Sequence, residues 1–232
     1  MKTQTLLVST VIASALLLTG CANKQMQEQE SGFLQGYDGI EKHELFEGSK
    51  IQIMPGADFT KYNKIMVSPV KIISGIELEN ETPEQKKLFQ QISTYLTNGY
   101  KTEIKKSGQY QLTGTASPDT MKFEAAISAV TVSHDDLTWY QFTPISFGIT
   151  VAARATYVEK AVRILGEGRL LDSVNNTVLM RAVSLQEGDE VGTDDEQLLF
   201  EDVKPALDAW LKRSTRNFAN MRSGELNYEN NQ

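Results

Sequence analysis

Cysteine and histidine are scarce in this sequence of 232 residues, which has one cysteine, Cys21, and two histidines, His43 and His134. A single cysteine excludes an internal disulfide bond and a zinc site made of several cysteines. So few histidines leave little material for acid–base or nucleophilic catalysis, in which histidine is the commonest group at neutral pH. The sequence therefore predicts a protein that is not an enzyme and that holds no metal or cofactor.

Basic side chains are also in the minority. The chain has 23 lysines and arginines against 30 aspartates and glutamates, which gives a net charge of −7 at pH 7. An acidic surface repels nucleic-acid phosphates, so nucleic acid is not an expected partner. Hydrophobic residues make up 40% of the chain and charged residues 23%, and both fractions are typical of globular domains.

The hydrophobic run near the start of the chain, Leu6–Leu18, is too short to span a bilayer, which takes about 20 residues. It follows Lys2, and a basic residue before a short apolar stretch is typical of a secretory signal peptide. The run ends in Leu18-Thr19-Gly20-Cys21, which resembles the lipobox of bacterial prolipoproteins. We expect residues 1–20 to be the signal peptide, with cleavage between Gly20 and Cys21 and with Cys21 as the lipidated residue.

The lipobox implies a thioether-linked diacylglycerol and an N-linked acyl chain on Cys21, and more than one chain anchors a protein stably. An aspartate directly after the cysteine tends to retain Gram-negative lipoproteins in the inner membrane, whereas this chain has Ala22 there. We therefore expect an outer-membrane anchor, with the protein body in the periplasm. Residues 22–31 have no aromatic or β-branched side chain, so residues 21–31 are predicted to be the lipidated cysteine and a flexible tether.

Residues 32–221 are predicted to form a single domain, followed by a loose tail at residues 222–232. A capping box at Thr82–Gln85, with proline in the first helical position, predicts a helix that ends at Gly108. A second amphipathic helix is predicted over residues 196–221, in which Pro205 marks a kink or a restart.

Apolar patterning and turn residues predict about five strands, at residues 65–72, 109–113, 122–134, 161–172 and 178–185. Pro69 cannot donate a ladder hydrogen bond and favours an edge strand or a bulge. Residues 157–165 also have helical spacing, but Gly166 and Gly168 favour a strand there. Asp172–Thr177 is rich in turn-forming side chains and predicts a hairpin. The predicted fold is an α+β two-layer sandwich, in which two amphipathic helices cover one face of a mostly antiparallel sheet.

Four segments of the predicted domain resemble Gram-negative lipoproteins classified as domain of unknown function 3313. They are Ser31–Leu34, Tyr62–Val70, Glu167–Ser173 and Asp202–Trp210. The resemblance covers most of residues 31–218 and implies an envelope lipoprotein of similar fold. It implies no reaction, because no chemistry is assigned to that family.

His134, Asp135 and Asp136 place an imidazole beside two carboxylates, a combination found in metal and general-base sites. Neighbouring side chains on an extended chain point to opposite faces, which favours a solvated loop instead. The alternative function is a small-ligand or lipid-binding envelope lipoprotein, or a hydrolase that uses His134.

Residues 139–153 concentrate four aromatic side chains and then small residues. The aromatic side chains are Trp139, Tyr140, Phe142 and Phe147. Two interpretations stay open: a strand and corner that fill the core, or an exposed patch that contacts a partner protein or the membrane surface. The preferred hypothesis is a membrane-anchored periplasmic lipoprotein that works by protein–protein contact, as an accessory or structural component of the cell envelope.

Overall fold

The computed structural model describes residues 31–46, 48–73, 82–133, 161–190 and 199–222. In these residues, eight strands form one open sheet and two helices pack on it. The strands are β1 (Glu41–Lys42), β2 (Ser49–Ile53), β3 (Lys64–Val67), β4 (Lys71–Ile72), β5 (Gln111–Leu112), β6 (Thr120–Ser133), β7 (Ala161–Asp172) and β8 (Val178–Glu190). The helices are α1 (Pro83–Ser107) and α2 (Phe200–Met221). Neither helix is long and apolar enough to cross a membrane.

The sheet has the order β1-β2-β8-β7-β6-β3-β5, and β4 also pairs with β6. The four neighbouring pairs β1–β2, β2–β8, β8–β7 and β7–β6 are antiparallel. The pairs β3–β5, β3–β6 and β4–β6 are parallel. The α+β class with two helices agrees with the prediction. The expectation of about five mostly antiparallel strands was too simple, because the helical crossover from β3 through α1 to β5 produces parallel pairing.

The strand expected over residues 65–72 is interrupted at Pro69, which separates β3 from β4. Two side chains of α1 satisfy the backbone there: the Val70 N–H donates to Thr97 Oγ1 at 2.9 Å, and Ser93 Oγ donates to the Val70 carbonyl at 2.6 Å. In the described part of the chain, β5 pairs only with Lys64 and Ile65, and β4 pairs only with β6, so Pro69 lies at an edge of the sheet, as its missing N–H predicts.

Helix α1 has the ends that the sequence predicts. The Gln85 N–H donates to Thr82 Oγ1 at 3.2 Å, and the Thr82 N–H donates to Gln85 Oε1 at 2.9 Å. Pro83 is the first helical residue, and Gly108 ends the helix with a φ of 67°, a left-handed conformation that glycine adopts without strain. The capping box and the terminal glycine are confirmed.

Helix α2 begins at Phe200, four residues later than predicted, because Leu199 has an extended backbone with φ −100° and ψ 164°. The Asp202 carboxylate accepts a hydrogen bond from the Leu199 N–H at 2.7 Å, so this backbone group at the start of the helix has a partner. The helix continues through Pro205 to Met221 without a restart.

The two helices run in parallel across one face of the sheet. A Cβ atom at Gly99 of α1 would lie 2.2 Å from Cδ1 of Leu211, so glycine permits this close approach. One turn further along, Thr215 donates to the Glu103 carboxylate, which also accepts from Lys106 Nζ at 2.6 Å. Burial by itself would raise the pKa of Glu103, but these hydrogen bonds outweigh it and lower the pKa below its usual value.

The main core lies between the helices and the sheet. Strand β7 passes directly beneath α2, and a Cβ atom at Gly166 would lie 1.6 Å from Cη2 of Trp210. The strand assigned to residues 161–172 is confirmed, and for residues 161–165 the helical alternative is wrong. Gly166 belongs in this strand because the Trp210 ring occupies the space above its backbone.

The hairpin between β7 and β8 is organised by Asp172. One carboxylate oxygen accepts from the Val174 N–H at 2.9 Å and the Asn175 N–H at 3.3 Å, and the other accepts from the Tyr62 hydroxyl at 2.9 Å. Burial would raise the pKa of Asp172, but these bonds lower it overall. Asn176 has a φ of 59°, so the predicted turn chemistry is confirmed.

Candidate functional site

The sheet face opposite the helices is covered by residues 31–40, which we call the N-terminal segment. Phe33 and Leu34 are 6% and 0% exposed. They pack against apolar side chains of β6, β7 and β8, namely Ala126, Leu165 and Val183. Because each fully buried large apolar side chain contributes about 1.5–3 kcal/mol, these two residues hold the segment on the sheet.

A buried carboxylate fastens the same segment. Glu167, in the middle of β7, is 5% exposed, and strand alternation turns it away from the helices. It accepts hydrogen bonds from Ser31 Oγ at 2.8 Å and from the Tyr37 hydroxyl at 2.5 Å. Burial and the neighbouring carboxylate raise the pKa of Tyr37 well above its usual value, so its hydroxyl remains a donor at neutral pH.

Charged side chains continue this network along the same face. Arg169 donates to the Phe33 carbonyl at 3.0 Å, and its guanidinium carbon lies 5.0 Å from the centre of the Phe33 ring. Arg169 also pairs with Glu124 at 2.8 Å, and Lys122 pairs with Glu124 at 3.0 Å. Burial opposes ionisation of Glu124, but its two basic partners hold its pKa below the usual value.

Chemically, the arrangement around Glu167 binds a segment of chain. Both Ser31 and Tyr37 present hydroxyl groups to one carboxylate, and these two hydroxyls lie 2.8 Å apart. A tyrosine with a raised pKa next to a carboxylate that accepts two hydrogen bonds is stabilised in its neutral form. The site therefore fixes the place where the chain coming from the N-terminus joins the folded body.

Replacing Glu167 with alanine is expected to lower the free energy of unfolding by about 2–4 kcal/mol, because two hydrogen bonds to a charged group are lost in a buried place. Urea unfolding measures this change, and limited proteolysis shows whether residues 31–40 become easier to cleave. The matched control is Glu41→Ala on the exposed edge strand β1, which should stay within about 0.5 kcal/mol of wild type. Equal effects of the two substitutions would contradict the assigned role of Glu167.

A small cavity of about 80 Å³ lies between the sheet and α2, and it is lined by aromatic side chains and a few polar groups. The aromatic residues around it are Phe46, Tyr100, Phe123, Trp210 and Phe218. A cavity of about 150 Å³ is known to hold one benzene molecule, so this volume does not accommodate an acyl chain. That exclusion applies to this cavity alone, because an open groove of about 1040 Å³ also lies between α1 and α2.

The residues that the sequence singles out lie outside the described residues. This holds for the lipobox residues Gly20 and Cys21, for His134, and for the aromatic patch of Trp139, Tyr140, Phe142 and Phe147. The other histidine, His43, lies in a turn, where its Nδ1 accepts from the Leu45 N–H at 3.2 Å. No group of three metal-ligating side chains occurs in the part of the chain that the structure describes.

Sequence reasoning missed the N-terminal segment as a site. Ser31 and Glu167 are 136 residues apart, and no local pattern joins them. Two signals were available: the apolar pair Phe33-Leu34 directly after a polar stretch, and a lone acidic residue within the apolar strand Ile164–Leu171. A charged residue inside a buried strand needs a partner, which predicts that some polar group covers it.

Comparison with known proteins gives relatives over most of the chain. The family model described as "Protein of unknown function (DUF3313)" matches residues 29–214. The uncharacterized lipoprotein YdcL of Escherichia coli K12 is 26% identical over 212 residues, which cover 90% of this chain and 94% of YdcL.

Solved structures are similar at low sequence identity. The PelC dodecamer from Paraburkholderia phytofirmans matches with a TM-score of 0.36 and 11% identity, covering 72% of this chain and 97% of that chain. The hypothetical protein CT253 from Chlamydia trachomatis matches with a TM-score of 0.38 and 10% identity, covering 71% of this chain and 96% of that chain.

Proposed function

Because the chain belongs to the DUF3313 family and is related to the lipoprotein YdcL along most of its length, we propose that it is a lipid-anchored protein of the cell envelope that acts by contact with a protein partner. In this proposal, Cys21 carries the lipid after residues 1–20 are removed. The chain between Cys21 and Ser31 is the tether. Ala22, in place of an aspartate, supports the outer membrane as the location, with the body in the periplasm.

The observation that carries the proposal is the fastening of the N-terminal segment by Glu167. The chain that arrives from Cys21 meets the body at Ser31, whose side chain binds a buried carboxylate in the centre of the sheet. The ten Cα–Cα steps from Cys21 to Ser31 span at most about 35 Å. A fixed junction and a short tether hold the body at a limited distance from the membrane, which suits a protein that meets its partner there.

The described residues that flank the proposed contact patch lie at the end of the domain where β6 and β8 finish and β7 begins. Ser133 of β6 pairs with Ala161 of β7, and Ala161 pairs with Glu190 of β8. Residues 134–160, which contain Trp139, Tyr140, Phe142 and Phe147, are joined to the body at this end.

Crosslinking in intact cells followed by identification of the crosslinked neighbour tests the proposed contact. The wild-type chain should give a discrete adduct, and Trp139→Ala with Phe142→Ala should remove at least about nine-tenths of it, since aromatic anchors dominate protein interfaces. The melting temperature of the purified variant should stay unchanged. A matched control is Val174→Ala, which truncates an apolar side chain that is 59% exposed at the opposite end of β7.

An adduct that survives in the double variant would contradict the contact patch. A large loss of thermal stability in the double variant would support the other interpretation, in which residues 139–153 fill the core. Retention of the adduct in Val174→Ala is required for either conclusion.

A further inference from the structure

Charge is unevenly distributed along this chain. The described residues contain 19 of the 23 basic side chains and 16 of the 30 acidic ones, so the acidic excess belongs to the remaining residues. Residues 74–81 connect β4 to α1, and residues 191–198 connect β8 to α2. Each of these two stretches carries three acidic residues and no basic one. The described body is therefore slightly basic although the whole chain is acidic.

Six of the 19 described basic side chains lie on the outer surface of the C-terminal halves of the two helices. They are Lys101, Lys105, Lys106, Lys212, Arg216 and Arg222, all of them exposed. The helices are parallel, and Thr215 of α2 contacts Glu103 of α1, which lies 112 positions earlier in the sequence. With nearly the same separation, Lys101 and Lys105 of α1 lie level with Lys212 and Arg216 of α2. We call these six residues the basic patch.

Stabilisation of helix ends explains only part of the basic patch. A cation interacts favourably with the helix dipole within the last turn, which accounts for Lys105 and Lys106 of α1. The last turn of α2 contains no basic residue, so Lys212 and Arg216 lie too far from its end for this effect. Lys101 also lies outside the last turn of α1.

Ion pairing within the body does not explain the patch either. Lys106 pairs with Glu103 at 2.6 Å. Among the described residues, no carboxylate lies within 4.0 Å of the amino groups of Lys101, Lys105 or Lys212. Three exposed lysines on one surface are thus left to interact with something outside the described body.

We propose that the basic patch binds the anionic phospholipid headgroups of the membrane to which the chain is anchored. The inference rests on the proposed lipid anchor for its choice of surface. Each basic residue next to an anionic lipid surface contributes about 1 kcal/mol to binding, which is about fivefold in affinity per charge. Once the chain is tethered, this contact is intramolecular, so a weak affinity is enough to keep the patch on the bilayer.

The charge distribution also gives the contact a direction. Strands β4, β6 and β8 run in the same direction and finish at the end of the sheet away from the basic patch. The acidic stretches 74–81 and 191–198 follow β4 and β8, so they join the body at that end. A bilayer with negative charge attracts the basic patch and repels the acidic end. The anchored body therefore stands with the C-terminal ends of its helices towards the lipid.

Vesicle binding by the chain without its lipid tests the proposal. Every contact described above joins residues 31 to 222, so a chain that starts at residue 22 retains all of them. Cosedimentation is measured with vesicles of about 70% phosphatidylethanolamine and 30% phosphatidylglycerol, and with neutral phosphatidylcholine vesicles. Wild type should bind only the anionic vesicles, and binding should fall as salt rises from 0.05 to 0.5 M.

Lys101→Gln, Lys105→Gln and Lys212→Gln together should weaken binding to the anionic vesicles about 100-fold, as expected for three charges at about fivefold each. The matched control is Lys42→Gln with Lys86→Gln and Lys87→Gln, which removes the same charge from exposed positions. Lys87 lies about 20 Å from Lys101 along α1, so this control should bind almost as tightly as wild type.

Absence of binding by wild type, or equal losses in the triple variant and its control, would overturn the proposal. The same holds if wild type binds neutral and anionic vesicles equally. A melting curve for each variant shows that its fold is retained, as surface substitutions of this kind usually permit. Because no lipid is attached to the protein in this assay, its failure would leave the anchor at Cys21 untouched.

Discussion

Replacing Gly166 with alanine is expected to lower the free energy of unfolding by about 3 kcal/mol, the upper part of the range for overpacked cores. The added Cβ atom would lie 1.6 Å from Cη2 and 2.3 Å from Cζ2 of Trp210. Trp210 is 7% exposed and belongs to the main core, so the new methyl group must push its ring towards the small cavity beside it or displace α2. Urea unfolding measures the loss.

Gly168→Ala is the matched control, on the same strand and with the same added atom. Its Cβ would lie 3.5 Å from Phe123 Cε2, an ordinary van der Waals distance, so the change should stay within about 1 kcal/mol. Equal losses at the two positions would show that Trp210 does not limit Gly166.

A double variant separates overpacking from a general effect on the strand. Trp210→Leu makes a cavity by itself, but in combination with Gly166→Ala it provides room for the new methyl group. The two substitutions should therefore cost less together than the sum of their separate effects, by about 1 kcal/mol or more.

The helix ends were predictable from sequence where the signal is local. Thr82, Pro83 and Gln85 lie within four consecutive positions, and the side chains of Thr82 and Gln85 each accept from the backbone N–H of the other residue. Gly108 is likewise a local signal, because the chain adopts a positive φ at the end of α1 and glycine takes that conformation without strain. For α2, the sequence predicted a start at residue 196, whereas the helix begins at Phe200 and Asp202 accepts from the N–H of Leu199 just before it.

The sheet was predicted less well because its pairing is not local. The order of a strand, helix α1 and a second strand was read from the sequence, and it already implies the parallel pairs of β3. Strand β1 has two residues, which is too short for apolar alternation to be visible, and β4 was predicted only as the end of a longer strand that Pro69 interrupts. Strand β2 lies at residues 49–53 and pairs with β8 more than 100 positions later.

The candidate site depends on distant contacts in the same way. The apolar residues Phe33 and Leu34 mark a segment that must be buried, but their sequence does not say on which surface. That surface is the second face of the sheet, where Glu167 and Arg169 supply the polar partners. The predicted aromatic patch and lipid site lie outside the described residues and remain predictions.

Replacing Cys21 with alanine should abolish acylation completely, because the chain has no other cysteine whose thiol could form the thioether. Attachment of the lipid is the step from which the rest of the proposal follows: the role of residues 22–30 as a tether and the placement of the basic patch at the bilayer both presuppose it. Ala22→Ser, which leaves the cysteine in place, is the control and should be acylated like wild type.

The most direct measurement is incorporation of an alkyne-labelled palmitate in growing cells, with the mass of the N-terminal peptide determined in parallel. The proposal predicts a labelled wild-type chain that begins at Cys21 with a diacylglycerol and an acyl group, and no label in Cys21→Ala. A wild-type chain without label, or a Cys21→Ala chain that is still labelled, would contradict it.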